Sequence, residues 1–188
     1  MRVKHDLRIK KTQFAIKHAF WQLIMEQGIS NVTTNQIIAT AGINRTTFYN
    51  HYANQAELLS NVEDDLIAKI NQQVSAFPSD TEKWNDYHQR VINAIYKNGA
   101  YIKALIDNKD SRFIQKATHQ SRIFIREQNL LNQITIPENY VIEGLFGLAS
   151  TIIYEWVKSD YRETPAEFFK IFEKMIRPIL VSNQIITK

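Results

Sequence analysis

Apolar residues recur at three- and four-residue steps along nearly the whole chain, and no segment alternates apolar and polar positions as a strand would. The first stripe predicts a helix from about Leu7 to Gln27, which Gly28 ends. Its inward positions are Ile9, Thr12, Ile16, Ala19, Phe20 and Leu23. This spacing predicts an all-α fold.

Two short helices joined by a sharp turn are predicted within residues 32–52. Thr33 and Gln36 have the spacing of a capping box at the start of the first helix. Gly42 can adopt the left-handed conformation that ends this helix, and Asn44 can cap the next one. Two helices joined by a three- to four-residue turn with glycine form the helix-turn-helix pattern, whose second helix lies in the DNA major groove.

The second of these helices has many hydrogen-bonding side chains and only Phe48 and Tyr52 as sizeable anchors for a core. Such donors suit phosphates and base edges. They are Arg45, Thr46, Thr47, Tyr49, Asn50 and His51, which we call the polar ridge. An ordinary helical hairpin could have the same caps and glycine, but the polar ridge favours an element that binds DNA.

A long fourth helix is predicted from the Asn54 cap, which has Glu57 at its third position, to Pro78. About 24 residues at 1.5 Å each give a rod of roughly 36 Å, which could transmit motion between two parts of the protein. We therefore expect a helix-turn-helix DNA-binding domain at 1–53. A second helical domain is expected at 54–188.

Five further helices are less sharply marked. The last has the clearest start, because Thr164, Pro165 and Glu167 combine an N-cap, a first-turn proline and a capping-box acid. The predicted ranges are 81–97, 100–107, 111–133, 138–159 and 165–182.

The last two helices are apolar on more than one side, so each needs partners on two sides. Either they are central in their own domain, or a second copy of the chain covers them. We favour a two-fold homodimer, which would place two DNA-binding units about one DNA turn apart, roughly 34–36 Å, or a multiple of it. Gly144 and Gly147 would permit close helix approach, although core packing explains them equally well. The expected interface residues are Leu145, Leu148, Ile152, Trp156, Phe168, Phe172, Met175 and Ile179.

Composition is that of an ordinary globular protein, with 44% hydrophobic and 22% charged residues. The absence of cysteine excludes disulfides and thiolate chemistry and fits a reducing compartment. The basic start at residues 1–11 is followed by no apolar signal-peptide core, and the most apolar uncharged run, residues 144–154, is too short to span a bilayer. We expect a soluble, cytoplasmic protein with no membrane partner.

The charge is unevenly distributed. The chain carries a formal net charge of +4. Residues 1–52 hold seven Lys and Arg against two acids, which is +5, and the remaining residues sum to −1. A basic N-terminal quarter on a near-neutral body is typical of a nucleic-acid binder. A basic tail that serves only solubility is the alternative.

No nucleophile, phosphate-loop or metal pattern is present, so we expect neither an enzyme nor a cofactor. His88 and His119 lack the spacing of metal ligands. Aromatic and polar side chains could instead line an effector cavity between the fifth and seventh helices, although ordinary core or surface roles explain each of them. They are Trp84, Tyr87, His88, Tyr96, Tyr101, Phe113, His119 and Phe124. Arg122 and Arg126 could bind an anionic effector, or could simply be solvated.

From about Asp6 to Leu59 the chain resembles the DNA-binding domain of the TetR family of bacterial transcription regulators. The matching residues are Lys11-Thr12, Ile16, Ala19-Phe20, Thr33, Ile37, Ala41-Gly42-Ile43, Thr47-Phe48-Tyr49-Asn50-His51-Tyr52 and Glu57-Leu58. The later segments Gly144…Ile153-Tyr154-Glu155-Trp156 and Thr164-Pro165-Ala166-Glu167 are similar to a subgroup that includes regulators of dihydroxyacetone kinase genes.

The resemblance implies a homodimer that binds a double-stranded DNA operator, usually represses, and releases DNA when a small molecule enters the C-terminal domain. It also implies that residues 54–188 form a helical regulatory and dimerisation domain, which binds the ligand. The family's DNA-contacting positions fall on Thr33, Thr34, Asn44, Arg45, Thr46, Thr47, Tyr49 and His51. One departure is Gln55, where the family commonly has Lys. Lys11, Lys10 or Arg8 could supply that phosphate contact instead. A second hypothesis, a coactivator or adaptor controlled by a protein partner, also fits the subgroup.

Overall fold

The computed structural model describes residues 2–74, 82–127, 134 and 136–183. Within these ranges, only the backbone is described for residues 2–5, 82, 83, 124, 125 and 127. These residues form α-helices and one 3-10 turn (Ile29–Asn31), and no strand occurs among them. The predicted all-α fold is confirmed. The helices are α1 (Arg2–Gln27), α2 (Thr34–Ala41), α3 (Arg45–His51), α4 (Gln55–Gln73), α5 (Glu82–Lys97), α6 (Gly99–Ile106), α7 (Phe113–Glu127), α8 (Glu138–Lys158) and α9 (Pro165–Ser182).

The chain divides into two compact units. The first comprises Met1–Leu66 and Ala104–Ser111, and the second comprises Ile67–Lys103 and Arg112–Lys188. Helices α4 and α6 each begin in one unit and end in the other. The functional division predicted between residues 53 and 54 stays a prediction.

The first unit is built on α1, which packs against α2 and the 3-10 turn. The inward stripe predicted for α1 is buried at four of its six positions, while Ile9 and Thr12 are only partly buried. Fully buried side chains from all four helices complete this core, and they include Ile16, Phe20, Ile37, Phe48, Leu58 and Val62. This core fixes the position of α3.

The second unit is formed mainly by α5, α8 and α9, with α7 packed on α8. Its core includes Trp156 stacked on Phe168, with the ring centroids 4.0 Å apart and the planes 4° from parallel. The predicted start of α9 is confirmed, because Thr164 and Glu167 exchange the hydrogen bonds of a capping box.

The turn between α8 and α9 holds two non-glycine residues with positive φ, Asp160 at 62° and Tyr161 at 56°. Such a conformation costs on the order of 1–3 kcal/mol per residue. The Asp160 carboxylate pairs with Lys103 at 2.5 Å, and the Tyr161 hydroxyl donates to the Gly99 carbonyl at 3.0 Å. These bonds to Lys103 and Gly99 of α6 stabilise the turn.

Three helix boundaries differ from the predicted ones by more than one residue. Helix α1 begins at Arg2 rather than Leu7. Helix α4 ends at Gln73 after 19 residues, about 28 Å at 1.5 Å each, because the Val74 amide donates to Asn71 in a tighter terminal turn. The rest of its predicted length falls outside the described residues. Helix α7 begins at Phe113, because the preceding residues form hydrogen-bonded turns, and its predicted end at 128–133 is also outside the described residues.

Candidate nucleic-acid interface

The turn between α2 and α3 has the geometry that the sequence predicts. The Thr33 hydroxyl accepts from the Gln36 amide at 3.3 Å, and the Gln36 side chain accepts from the Thr33 amide at 2.8 Å. Gly42 has a φ of 64°, which L side chains rarely adopt. The Asn44 side chain then accepts from the Thr47 amide at 2.7 Å and starts α3. The capping groups of Thr33 and Asn44 therefore have structural roles besides any contact with DNA.

Helix α3 separates a buried aromatic side from an exposed polar side. Phe48 is fully buried and Tyr52 nearly so, and their rings lie 6.0 Å apart. On the other side, Arg45, Thr46, Tyr49 and Asn50 are exposed, while Thr47 and His51 are partly exposed. The polar ridge thus lies on the surface of the first unit, where its donors can contact a ligand as large as a duplex.

Two residues of the polar ridge contact each other. The Arg45 guanidinium carbon lies 5.4 Å from the centroid of the Tyr49 ring, and an Arg45 nitrogen lies 3.5 Å from the Tyr49 hydroxyl. The Tyr49 ring meets the edge of Phe48 at 5.4 Å. Because Phe48 is fixed in the core, this chain of contacts connects the Arg45 side chain to the folded unit.

Exposed cations on α1 supply positive charge outside α3. Arg8, Lys10 and Lys11 are all exposed, whereas Lys17 pairs with Asp65 of α4 at 2.6 Å. Gln55 is the first residue of α4 and is partly exposed. A neutral amide there can donate to a phosphate but releases no counterion.

The residues predicted to line an effector cavity lie in several environments. Trp84, Tyr87 and His88 are together on α5, where the His88 ring meets the edges of Trp84 and of Phe172 on α9. His88 Nδ1 lies 2.9 Å from a Glu173 carboxylate oxygen.

The other predicted cavity residues are not brought to that cluster. Tyr96 is exposed and stacks on Trp156, Tyr101 is exposed beside Lys69, and His119 is exposed. Phe113 is buried, and the Phe124 side chain is outside the described residues. The spacing of apolar residues along a helix shows which side of the helix faces inward, but it does not show which other helix that side contacts.

The residues predicted at a dimer interface divide into two groups. Four of them belong to the core of one chain: Leu145, Trp156, Phe168 and Phe172. Most of their apolar surface is therefore covered without a partner. The other four are partly buried or, for Met175, exposed. An open groove on α8 and α9 is lined by Leu148, Ile152, Ile171 and Met175 together with the edges of Trp156 and Phe168.

Two family profiles match this chain. Residues 16–62 match the profile described as bacterial regulatory proteins, tetR family, and residues 82–178 match a transcriptional regulator C-terminal region, which covers more than half of the chain. The chain belongs to the TetR family. A TetR-family protein is a DNA-binding transcriptional regulator, and the helix-turn-helix of α2 and α3 lies within the first matched segment.

Two curated relatives of this TetR-family chain are similar over part of its length. The HTH-type dhaKLM operon transcriptional activator DhaS of Lactococcus lactis is 28% identical over 136 residues, which cover 70% of this chain and 66% of DhaS. The uncharacterized HTH-type transcriptional regulator YxbF of Bacillus subtilis is 33% identical over 78 residues, 41% of this chain and 20% of YxbF. The matches therefore span less than two thirds of either relative.

Solved TetR-family structures share the fold over nearly the whole chain. A TetR transcriptional regulator from Streptococcus agalactiae superposes with a TM-score of 0.74 at 22% identity, covering 94% of this chain and 99% of that one. The dihydroxyacetone kinase operon activator DhaS superposes with a TM-score of 0.61 at 19% identity, covering 94% and 98%. At these identities the likeness establishes the fold alone.

Across the described ranges, no helix is long and apolar enough to cross a membrane. The same residues contain no group of three or more His, Asp or Glu side chains placed to hold a metal ion.

Proposed function

We propose that this TetR-family protein is a homodimeric repressor that binds a palindromic operator through α3 and is released by a small-molecule effector in its second unit. The DNA-binding part of this proposal rests on the polar ridge. Its donors are exposed on a helix whose aromatic anchors, Phe48 and Tyr52, are buried in the first unit. A helix packed this way presents polar side chains to a partner without losing its place in the fold.

The polar ridge offers two kinds of contact. Tyr49 and His51 are proposed to donate to phosphates, which position a protein on DNA but carry no sequence information. Thr33, Thr34, Asn44 and the amides at the start of α2 add neutral donors beside them. Arg45 is proposed to contact guanine with two hydrogen bonds, a contact worth about 1–3 kcal/mol of discrimination, while Thr46 and Thr47 contact neighbouring bases.

Selection from a pool of random duplexes tests the DNA-binding proposal. The bound fraction should converge on a sequence with two inverted half-sites whose centres are about one helical turn apart, or a multiple of it. The Arg45→Ala variant should bind the selected duplex less tightly while keeping its affinity for random DNA. A matched change outside the interface, Gln115→Ala on the exposed side of α7, should leave both affinities unchanged.

The homodimer is supported by an exposed small-residue face on α8. A Cβ added at Gly144 or Gly147 would meet no described atom within 4 Å, so neither glycine serves packing within the described part of its own chain. Beside them lies the apolar groove that contains Ile171 and Met175. A two-fold partner that packs α8 and α9 against the same helices would fill the groove and cover both glycines.

Sedimentation of the Gly147→Arg variant tests this interface. A large cation at a position of close helix approach should convert the dimer to a folded monomer and weaken operator binding. The Gln115→Arg control adds the same charge to an exposed site on α7 and should stay dimeric. A Gly147→Arg protein that sediments as the wild type would contradict this interface.

The effector proposal places the ligand against α5, beside Trp84, Tyr87 and His88. The His88–Glu173 pair is largely shielded from solvent among aromatic edges, and such a polar group in an apolar setting can orient a small ligand. A metabolite panel tested by thermal shift and by release of the selected duplex would reveal the effector. His88→Ala should abolish release by that metabolite and keep DNA binding.

A second candidate function is transcriptional activation. The curated relative DhaS is named an operon activator. A reporter gene behind the selected operator distinguishes the two functions, because a repressor lowers its expression when the protein is supplied and an activator raises it.

A further inference from the structure

Asn50 lies at the centre of the exposed side of α3. Successive residues of an α-helix are about 100° apart, so Thr46 and Asn50, each two positions from Phe48, lie about 160° from it around the helix axis. Phe48 is completely buried, and Thr46 and Asn50 are both exposed. Tyr49 and His51, which are proposed to contact phosphates, lie on either side of Asn50. When α3 lies in the major groove, Asn50 therefore faces the base edges at the floor of the groove.

The fold makes no use of the Asn50 side chain. Among the residues that the structure describes, none forms a hydrogen bond with its amide. The end of α3 is closed instead by the backbone, because the Tyr52 amide donates to the Phe48 carbonyl at 2.9 Å. Asparagine is among the less favourable residues within a helix, since its amide competes for backbone hydrogen bonds. The packing of the described residues therefore does not explain an amide at this position.

The other amide of α3 and its cap is already occupied. The Asn44 side-chain oxygen accepts from the Thr47 amide at 2.7 Å and starts the helix. Adenine presents an acceptor, N7, and a donor, the N6 amino group, in the major groove, so one amide must supply its nitrogen and its oxygen together to bind both. Asn44 cannot supply its oxygen without uncapping α3, and a threonine hydroxyl has only one oxygen. Asn50 has both groups available.

We propose that Asn50 is a further specificity-determining residue, whose amide donates to N7 and accepts from the N6 amino group of one adenine in each half-site. This inference rests on the proposed binding of DNA through α3. Guanine presents two acceptors in place of this pair, so the amide oxygen would face another oxygen there. The contact therefore distinguishes adenine from guanine.

The position of this adenine follows from the geometry of α3. Arg45 and Asn50 are five residues apart, which is about 7.5 Å along the helix at 1.5 Å per residue. This length corresponds to about two base-pair steps of 3.4 Å. The selected half-site should therefore have a fixed adenine within about two base pairs of the guanine that Arg45 contacts.

Base discrimination by Asn50→Ala tests this contact. The probes are the selected operator and a duplex in which guanine replaces this adenine in one half-site. Wild-type protein should bind the operator about tenfold more tightly than the changed duplex, and the Asn50→Ala variant should bind both equally. The variant should keep its affinity for random duplex and its preference for the guanine contacted by Arg45. The control Asn93→Ala, at an exposed position of α5, should keep the tenfold ratio.

An exchange of base preference is a stronger test. Asn50→Asp replaces the amide with a carboxylate, which only accepts hydrogen bonds and therefore suits the N4 amino group of cytosine. Selection with this variant should give cytosine where the wild type gives adenine. The readout is the preferred base, so a general loss of affinity through charge repulsion does not affect it. Asn93→Asp adds the same charge on α5 and should still select adenine.

A modified base identifies the atom that Asn50 contacts. 7-Deazaadenine keeps Watson–Crick pairing and lacks the N7 acceptor. With this base in one half-site, wild-type protein should bind more weakly, whereas Asn50→Ala should bind the modified and unmodified operators equally. Such non-additivity is expected only if the side chain and the atom interact. An equal loss of affinity in both proteins would overturn the contact.

The outcomes separate this inference from the proposed function. If the wild type selects no sequence at all, the proposed DNA-binding function is overturned. If it selects an operator without a fixed adenine near the guanine, only the Asn50 contact is overturned. The same holds if Asn50→Ala weakens binding to every duplex by one factor and keeps the tenfold ratio, because that result indicates a phosphate contact.

Discussion

The Arg45 guanidinium lies over the Tyr49 ring one helical turn along α3, with its carbon 5.4 Å from the ring centroid. A cation–π contact at an exposed site contributes about 0.5–1 kcal/mol, and it restricts a side chain that otherwise has many rotamers. Tyr49 is therefore expected to have two functions: its hydroxyl contacts a phosphate, and its ring positions Arg45 for a base.

The first prediction separates these functions with two variants of Tyr49. Tyr49→Phe keeps the ring and should weaken binding to selected and random duplexes by a similar factor. Tyr49→Leu removes the ring and should also reduce discrimination at the base that Arg45 contacts. Competition binding with single-base variants of the operator measures both. Equal discrimination by the Phe and Leu variants would show that the ring does not position Arg45.

The second prediction concerns salt dependence. Each phosphate contact by a cation contributes about −0.9 to the slope of log affinity against log salt. Because a dimer carries two copies of Lys11, Lys11→Ala should therefore make the slope shallower by about two units and weaken binding to all duplexes alike. Gln55→Lys adds a cation at the start of α4 in each protomer and should make the slope steeper by about two.

Gln115→Lys adds the same charge on α7, away from the proposed interface, and is the control for Gln55→Lys. If both lysines steepen the slope equally, only net charge is responsible, and residue 55 has no phosphate nearby.

The third prediction is a loss of stability at alkaline pH. Burial, followed by the charges of Asp65 and Glu57, raises the pKa of Tyr52 from 10.0 to about 12. Between pH 10 and 12 the unfolded chain loses this proton and the folded chain retains it. The contribution to stability is therefore complete below pH 10 and is lost as pH rises through 12.

Tyr52→Phe should remove part of this pH dependence. Another part should remain in the variant, because burial also raises the pKa of Tyr161. At pH 7 the variant should be as stable as the wild type or more stable, because the Tyr52 hydroxyl has no hydrogen-bond partner among the described residues. Denaturant unfolding at pH 8 and 11 measures both effects. A pH dependence unchanged by Tyr52→Phe would refute this assignment.

The fourth prediction concerns the start of α6. A Cβ at Gly99 would lie 2.8 Å from the Tyr161 ring, which its hydroxyl bond to Gly99 and the edge of Trp156 hold in place. Gly99→Ala should lower the free energy of unfolding by about 1–3 kcal/mol. Gln115→Ala, at an exposed position of α7 outside the proposed interfaces, should change the free energy of unfolding little and serves as the control.

Local features of the fold were predictable from sequence because each depends on a few neighbouring residues. The capping boxes at Thr33 and Thr164 and the left-handed Gly42 follow from residue type and spacing alone. The polar ridge was predictable for the same reason, since seven consecutive residues decide which side of α3 is apolar.

Contacts between distant helices were less predictable. Periodicity showed that α8 and α9 are apolar on two sides, but not that Trp156, Phe168 and Phe172 lie in the core of their own chain. The His88–Glu173 pair joins residues 85 positions apart, which no local pattern signals.

The most direct test of the central claim is the affinity of the purified protein for the selected duplex and for random duplex at one fixed salt concentration. If the polar ridge contacts nucleotides, the selected duplex should bind at least about 10³-fold more tightly, and Arg45→Ala should erase much of that ratio. A protein that binds neither duplex at low ionic strength, or whose ratio does not change with Arg45→Ala, would contradict this assignment of the polar ridge.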